Sequence, residues 1–129
     1  MTPELKFLAW ASVLTALMWV PYILNVISNN KLADAVGYPD KPLKMAAWAE
    51  RMKKAHNNSV ENLVVFAVFV LIANAVDISN AATTSAAAFY FWARVVHAGA
   101  YTFGIPWVRT LAFAVAWGST ICIAWQVLA

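Results

Sequence analysis

Charge is scarce in this sequence. Of its 129 residues, 12% are Asp, Glu, Lys or Arg, while 63% are hydrophobic and the mean hydropathy is +0.65. A soluble domain of this size cannot bury so much apolar surface, so lipid must cover the excess. Cysteine is nearly absent as well. Cys122 stands alone in an apolar run, which excludes an internal disulfide and leaves the redox compartment unread. It reads as a small packed hydrophobe. The pI near 9.2 comes without interleaved basic and aromatic residues on a polar background, which argues against nucleic acid as a partner. No metal-ligand cluster, repeat or low-complexity segment stands out. A cleavable signal peptide is not expected, because Met1 to Lys6 contains Pro3 and Glu4, lacks a basic start, and leads into an apolar run too long for a signal core.

What remains is a set of long apolar runs. Crossing roughly 30 Å of hydrocarbon takes about 20 helical residues, since only helices and closed barrels satisfy every backbone group there. Four runs meet that length, so the expected fold class is all-α: one domain over 1–129 forming an antiparallel integral membrane four-helix bundle. The helices are expected at about 5–30, 43–76, 82–103 and 106–128. The first carries no charge from Phe7 to Asn30, and Pro21 within it predicts a kink. Gly37, Pro39 and Pro42 make 31–42 the one substantial loop. Asp77 to Asn80 is a short polar turn, and Gly104-Ile105-Pro106 is a tight connection with Pro106 suited to the first turn of a helix.

Six of the nine basic residues, Lys31, Lys41, Lys44, Arg51, Lys53 and Lys54, lie in the first loop and the start of the second helix, while Asp77 to Asn80 has none. The positive-inside bias therefore places the first loop in the cytoplasm and both termini on the periplasmic or lumenal side. Short loops and the absence of a soluble domain suggest a bacterial inner membrane.

This topology brings the start of helix two, the end of helix three and the start of helix four to one side, and the costly polar residues lie in those halves. Arg51, Lys54, Asn58 and Glu61 follow i, i+3, i+7 and i+10 spacing along one face. Arg94, His97 and Tyr101 do the same on helix three, and Arg109 and Thr110 open helix four. A charge near the bilayer centre costs about 2.5 kcal/mol or more, so Glu61 and Arg94 are expected to turn inward and pair. That pair reads first as a structural lock, with His97 and Tyr101 as hydrogen-bonded packing residues in the plainer interpretation. Arg109 at a helix N-terminus opposes the macrodipole, which makes sense beside a negative third party. Arg51, Lys54, Arg109 and that helix end would together form an anion-binding mouth for a carboxylate or thiolate.

At these residues the chain resembles the MAPEG family, the membrane-associated proteins of eicosanoid and glutathione metabolism. The similar blocks are Glu50-Arg51-Met52-Lys53-Lys54-Ala55-His56-Asn57-Asn58-Ser59-Val60-Glu61-Asn62 and Arg94-Val95-Val96-His97-Ala98-Gly99-Ala100-Tyr101, followed by Ile105-Pro106 and Arg109-Thr110. The resemblance implies a homotrimer that binds glutathione between subunits near the cytoplasmic face, with a lipophilic second substrate arriving from the bilayer. It implies glutathione contacts at Asn58, Glu61, His97 and Tyr101, and a thiolate-stabilising role for Arg109. Thr110 stands where some members carry a serine close to the sulfur. Lys54 and Asn57 depart from the arginines of prostaglandin-type members, which weakens bidentate carboxylate capture.

The leading expectation is a glutathione-dependent transferase or peroxidase acting on lipophilic electrophiles or lipid hydroperoxides, with Arg109, Thr110 and Tyr101 at the reacting sulfur. Arg51, Lys54, Asn58, Glu61, Arg94 and His97 would hold the thiol. Two other classes compete. One is a noncatalytic membrane protein of the same fold that binds a lipid or small anion, separable by glutathione titration. The other is a small proton-coupled exporter working through Glu61, which expects a weaker charge bias than this loop shows.

Overall fold

The computed structural model describes all residues, 1–129. It is entirely helical: α1 Pro3–Asn29, α2 Leu32–Val36, α3 Ala47–Ala75, α4 Ala81–Thr102 and α5 Pro106–Leu128. The long helices fall where the apolar runs predict them. Thr2 caps α1 by accepting from the Leu5 N–H, Pro3 occupies the first turn, and the helix continues without interruption through Pro21.

Two boundaries differ from expectation. The loop is not irregular throughout, because Leu32–Val36 forms a short helix. In addition, α3 begins at Ala47 rather than near residue 43. Side chains from the end of α1 account for that delay. Asn30 donates to the Lys44 carbonyl at 2.8 Å and accepts from the Lys44 N–H at 2.9 Å, while Asn25 accepts from the Ala46 N–H at 2.9 Å. A carbonyl that a longer helix would have used in its first turn is thus already engaged, and Ala46 is extended.

Three helices, α1, α3 and α5, are long and apolar enough to cross a membrane. The α4 helix lacks so long an apolar stretch, carrying Thr83, Thr84, Ser85, Arg94 and His97, yet Thr83, Arg94 and His97 are buried while Phe89, Trp92 and Val96 face outward. The whole molecule shares this inverted polarity. Only 26 of its 129 residues are buried, and Trp10, Leu17, Leu111 and Trp125 are among the many large apolar side chains left on the surface. Such a surface belongs in lipid.

The core is built from small residues and a few rings. Ala11, Ala73, Ala86, Ala87, Ala93 and Ala116 let the helices approach closely, and Phe66 stacks on Tyr90 with ring centroids 3.7 Å apart. The most extensive pairing is between α4 and α5, and α1 and α3 each also pack on α4. At the 77–80 end, the buried Glu4 carboxylate accepts from Ser79, Thr83 and Thr84 hydroxyls at 2.5–3.1 Å, tying the start of α1 to the start of α4. There Asn80 forms a capping box with Thr83 and donates to Gln126 on α5.

Candidate functional site

The opposite end gathers four of the residues singled out by spacing. A cavity of about 270 Å³ is lined by Arg51 and Lys54 from α3, Ala100 and Tyr101 from α4, Gly104, Ile105 and Pro106 from the connection, and Arg109 from α5. Three cations and no carboxylate border it, so its field favours a negatively charged guest. Two of the cations are held by their surroundings. Arg51 donates from Nε to the Thr102 carbonyl at 2.8 Å, and the Arg109 guanidinium carbon lies 4.8 Å from the centre of the Tyr101 ring. Lys54 is exposed at the rim.

The connection earns its geometry from a helix-ending motif. Phe103 follows the last helical residue, Thr102, and Gly104 adopts φ +73°, the left-handed region that favours glycine. The Ile105 N–H reaches back to the Ala100 carbonyl at 2.8 Å and the Gly104 N–H to Tyr101 at 3.2 Å, the hydrogen-bond pair of a Schellman cap. Pro106 then opens α5 with the fixed φ a first turn requires. Three residues thus join two long helices, and Tyr101 and Arg109 meet across them.

Deeper in, Arg94 and His97 lie on the same face of α4 as Tyr101, and both are 2% exposed. The Arg94 Nη2 donates to Asn58 at 2.8 Å and to Ser59 at 2.9 Å, whereas its Nε and Nη1, together with His97 Nδ1, have no partner. The His97 ring stands edge-on to Tyr101 at 5.6 Å. Buried donors without acceptors are costly, and a guanidinium with two of its three nitrogens unpaired is a reservoir of unmet binding capacity.

The expected Glu61–Arg94 pair does not form within the chain. Glu61 is exposed, and Arg94 is satisfied only by Asn58 and Ser59. The cause is azimuth: Ser59 lies about 100° to one side of Asn58 around the helix and Glu61 about 60° to the other, so Arg94, seated toward Ser59, faces away from the carboxylate. Asn58 instead holds Asn62, which donates to its carbonyl at 2.8 Å. Thr110 also stands apart. It is exposed, lines no part of the cavity, and donates its hydroxyl to the Pro106 carbonyl one turn back at 3.0 Å.

Sequence spacing did not indicate Ser59, whose only cue is its place beside Asn58, or the hydrogen bond between Tyr22 of α1 and His56 Nδ1 at 2.8 Å. A larger cavity of about 720 Å³ lies at the 28–44 loop, bordered by Lys31, Lys41, Lys44, Asp34 and Asp40. It touches none of the predicted site residues, and its charged groups are all exposed.

Comparison with known proteins gives one match and one blank. A family model described as the MAPEG family matches residues 7–129. No curated protein matches the chain.

Proposed function

Since the chain belongs to the MAPEG family, we propose that it is a glutathione-dependent transferase or peroxidase whose lipophilic substrates, electrophiles or lipid hydroperoxides, reach it from the bilayer. The observation that carries this reading is the cavity bordered by Arg51, Lys54 and Arg109 with no carboxylate among its lining residues. Glutathione offers two carboxylates and a thiol. A thiol of pKa about 8.5 becomes a competent nucleophile near neutral pH when a guanidinium stabilises its anion, and Arg109, fixed over Tyr101, is the group suited to that task. The unpaired Arg94 nitrogens and His97 Nδ1 offer further capacity on the inner side. In conjugation, the sulfur anion forms a C–S bond and the electrophile's displaced pair takes up a proton. In peroxide reduction, the thiolate sulfur takes the distal oxygen as the O–O bond breaks, the alkoxide takes up a proton and leaves as the alcohol, and a second thiol converts the sulfenic acid to a disulfide and water.

The same reading sets the chain in its membrane. All four long helices would cross the bilayer as an antiparallel bundle, α4 included because its polar residues turn inward. The lysine-rich loop would be cytoplasmic and the termini would lie on the far side, as in a bacterial inner membrane. The ammonium of glutathione needs an anion that the lining residues lack. Glu61, exposed on α3 where its asparagine-rich turns give way to the apolar ones, is available to a site shared with a second copy, in keeping with a homotrimer.

The test is the ultraviolet thiolate absorbance of glutathione added to purified protein. Wild type is expected to raise the band at neutral pH, and Arg109→Ala to abolish the rise. A wild type that binds no glutathione would reject the proposal in favour of a noncatalytic lipid- or anion-binding protein.

A further inference from the structure

Arg51 was expected to be a ligand contact, and its geometry gives it a second task. The Schellman cap satisfies the carbonyls of Ala100 and Tyr101 and leaves that of Thr102, the last helical residue of α4, without a backbone donor. Arg51, reaching across from α3, fills that vacancy with its Nε. A cation at a helix C-terminus also complements the macrodipole. Its guanidinium lies against the connection, since a Cβ added to Gly104 would sit 3.5 Å from Nε. The two terminal nitrogens make no bond within the chain, while Arg51 borders the cavity.

We propose that Arg51 is a positioning residue that latches the α4–α5 connection to α3, so that Tyr101 and Arg109 are held in register to face one thiol. The inference rests on the thiol-activating reading above and assigns that site its rigid frame. One edge of a guanidinium fork anchors the turn while the other faces the guest. A lysine carries the same charge but, as a compact ammonium without a planar fork, cannot hold two partners on opposite edges. Gly104 belongs to the same device: it supplies the left-handed turn that carries the Thr102 carbonyl to Arg51, although a Cβ there would meet the guanidinium only at ordinary contact distance.

Two variants test the latch, Arg51→Lys and Gly104→Ala, with their double mutant. The readouts are glutathione affinity by titration, the pH profile of thiolate absorbance, turnover with a small hydrophobic electrophile, and amide hydrogen exchange at Gly104 and Ile105. Each single variant is expected to move the thiolate profile to higher pH and to lower turnover on the order of tenfold, because displacement of a catalytic group by a fraction of an ångström is costly. Affinity should change by less than about threefold, since the charges persist. The double mutant should be no worse than the poorer single, because Arg51→Lys unlatches and Gly104→Ala strains one and the same turn. Exchange at 104 and 105 should quicken on the order of tenfold in Arg51→Lys whether or not thiol is present. A weakened affinity with an unmoved thiolate profile would make Arg51 an ordinary ligand contact and overturn the proposal. So would multiplying effects in the double mutant, or unchanged exchange. If wild type forms no thiolate while exchange still quickens in Arg51→Lys, the thiol reading falls and takes the positioning role with it, leaving only a structural anchor.

Discussion

Arg94 sets the sharpest question at the scale of single residues. It is buried among helices with two guanidinium nitrogens unpaired, which no protein interior optimised for stability alone would retain. Replacement by methionine removes those orphan donors and keeps much of the volume, at the loss of its bonds to Asn58 and Ser59. Arg94→Met is therefore expected to unfold within about 1 kcal/mol of wild type, or later, while losing most glutathione affinity. Thermal unfolding in detergent beside a thiol titration measures both. A loss of more than about 3 kcal/mol would instead mark Arg94 as a structural lock. Spacing placed Arg94, His97 and Tyr101 on one face of α4, and the order of the apolar runs brought Lys54, Tyr101 and Arg109 to one end, where they border one cavity. Spacing failed for Glu61 because a face defined by i+3 and i+7 steps is wide enough to hold residues that look in different directions. Whether Arg94 meets Glu61 or Ser59 depends on how α4 is rotated against α3, which the spacing within either helix does not contain.

Helix ends decide much of the architecture at the scale of elements. The end of α3 uses the same cap as α4: the Ile78 N–H bonds the Ala73 carbonyl at 2.8 Å and the Asp77 N–H bonds Asn74 at 3.3 Å, but here Asp77 occupies the left-handed position with φ +57°. An aspartate there bears both a side-chain steric cost and an unfavourable charge at a helix C-terminus. Asp77→Gly is thus expected to raise stability by about 1 kcal/mol, read as a higher midpoint of thermal unfolding. A fall in midpoint would show that the carboxylate makes a favourable contact outweighing both costs. The neighbouring clasp predicts the opposite sign. Glu4→Ala leaves the fully buried Thr83 hydroxyl, together with Ser79 and Thr84, without their shared acceptor and should cost about 2 kcal/mol. Apolar run length made the helices legible to within a few residues. The late start of α3 was not legible, because Asn25 and Asn30 act on residues 14 to 21 positions away, through a loop closure that local patterns do not encode.

At the scale of the whole molecule, α3 carries a surface that the single chain leaves unexplained. Asn57, Glu61, Val64, Val68, Leu71 and Ala75 are all exposed, and they recur at alternating steps of four and three. That is the spacing of a coiled-coil seam, in which each residue seats between those of a like helix. Lipid would tolerate the valines and leucine of this stripe but not Glu61, whose exposure toward hydrocarbon costs about 2.5 kcal/mol or more. Association of copies through α3 removes that cost by surrounding the carboxylate with protein, and it would bring Glu61 toward the cation-lined cavity of a neighbour. Cysteine cross-linking in a Cys122→Ser background tests this. Val64→Cys is expected to give chains linked to one another on mild oxidation in membranes, whereas Trp92→Cys, outward-facing on α4, should remain single. Val68→Arg, which sets a charge in the seam, should reduce the native mass toward that of one chain. Equal cross-linking at both positions, or a single-chain mass for the wild type in mild detergent, would mean that Glu61 meets lipid or water alone and that each cavity must take its ligand unaided.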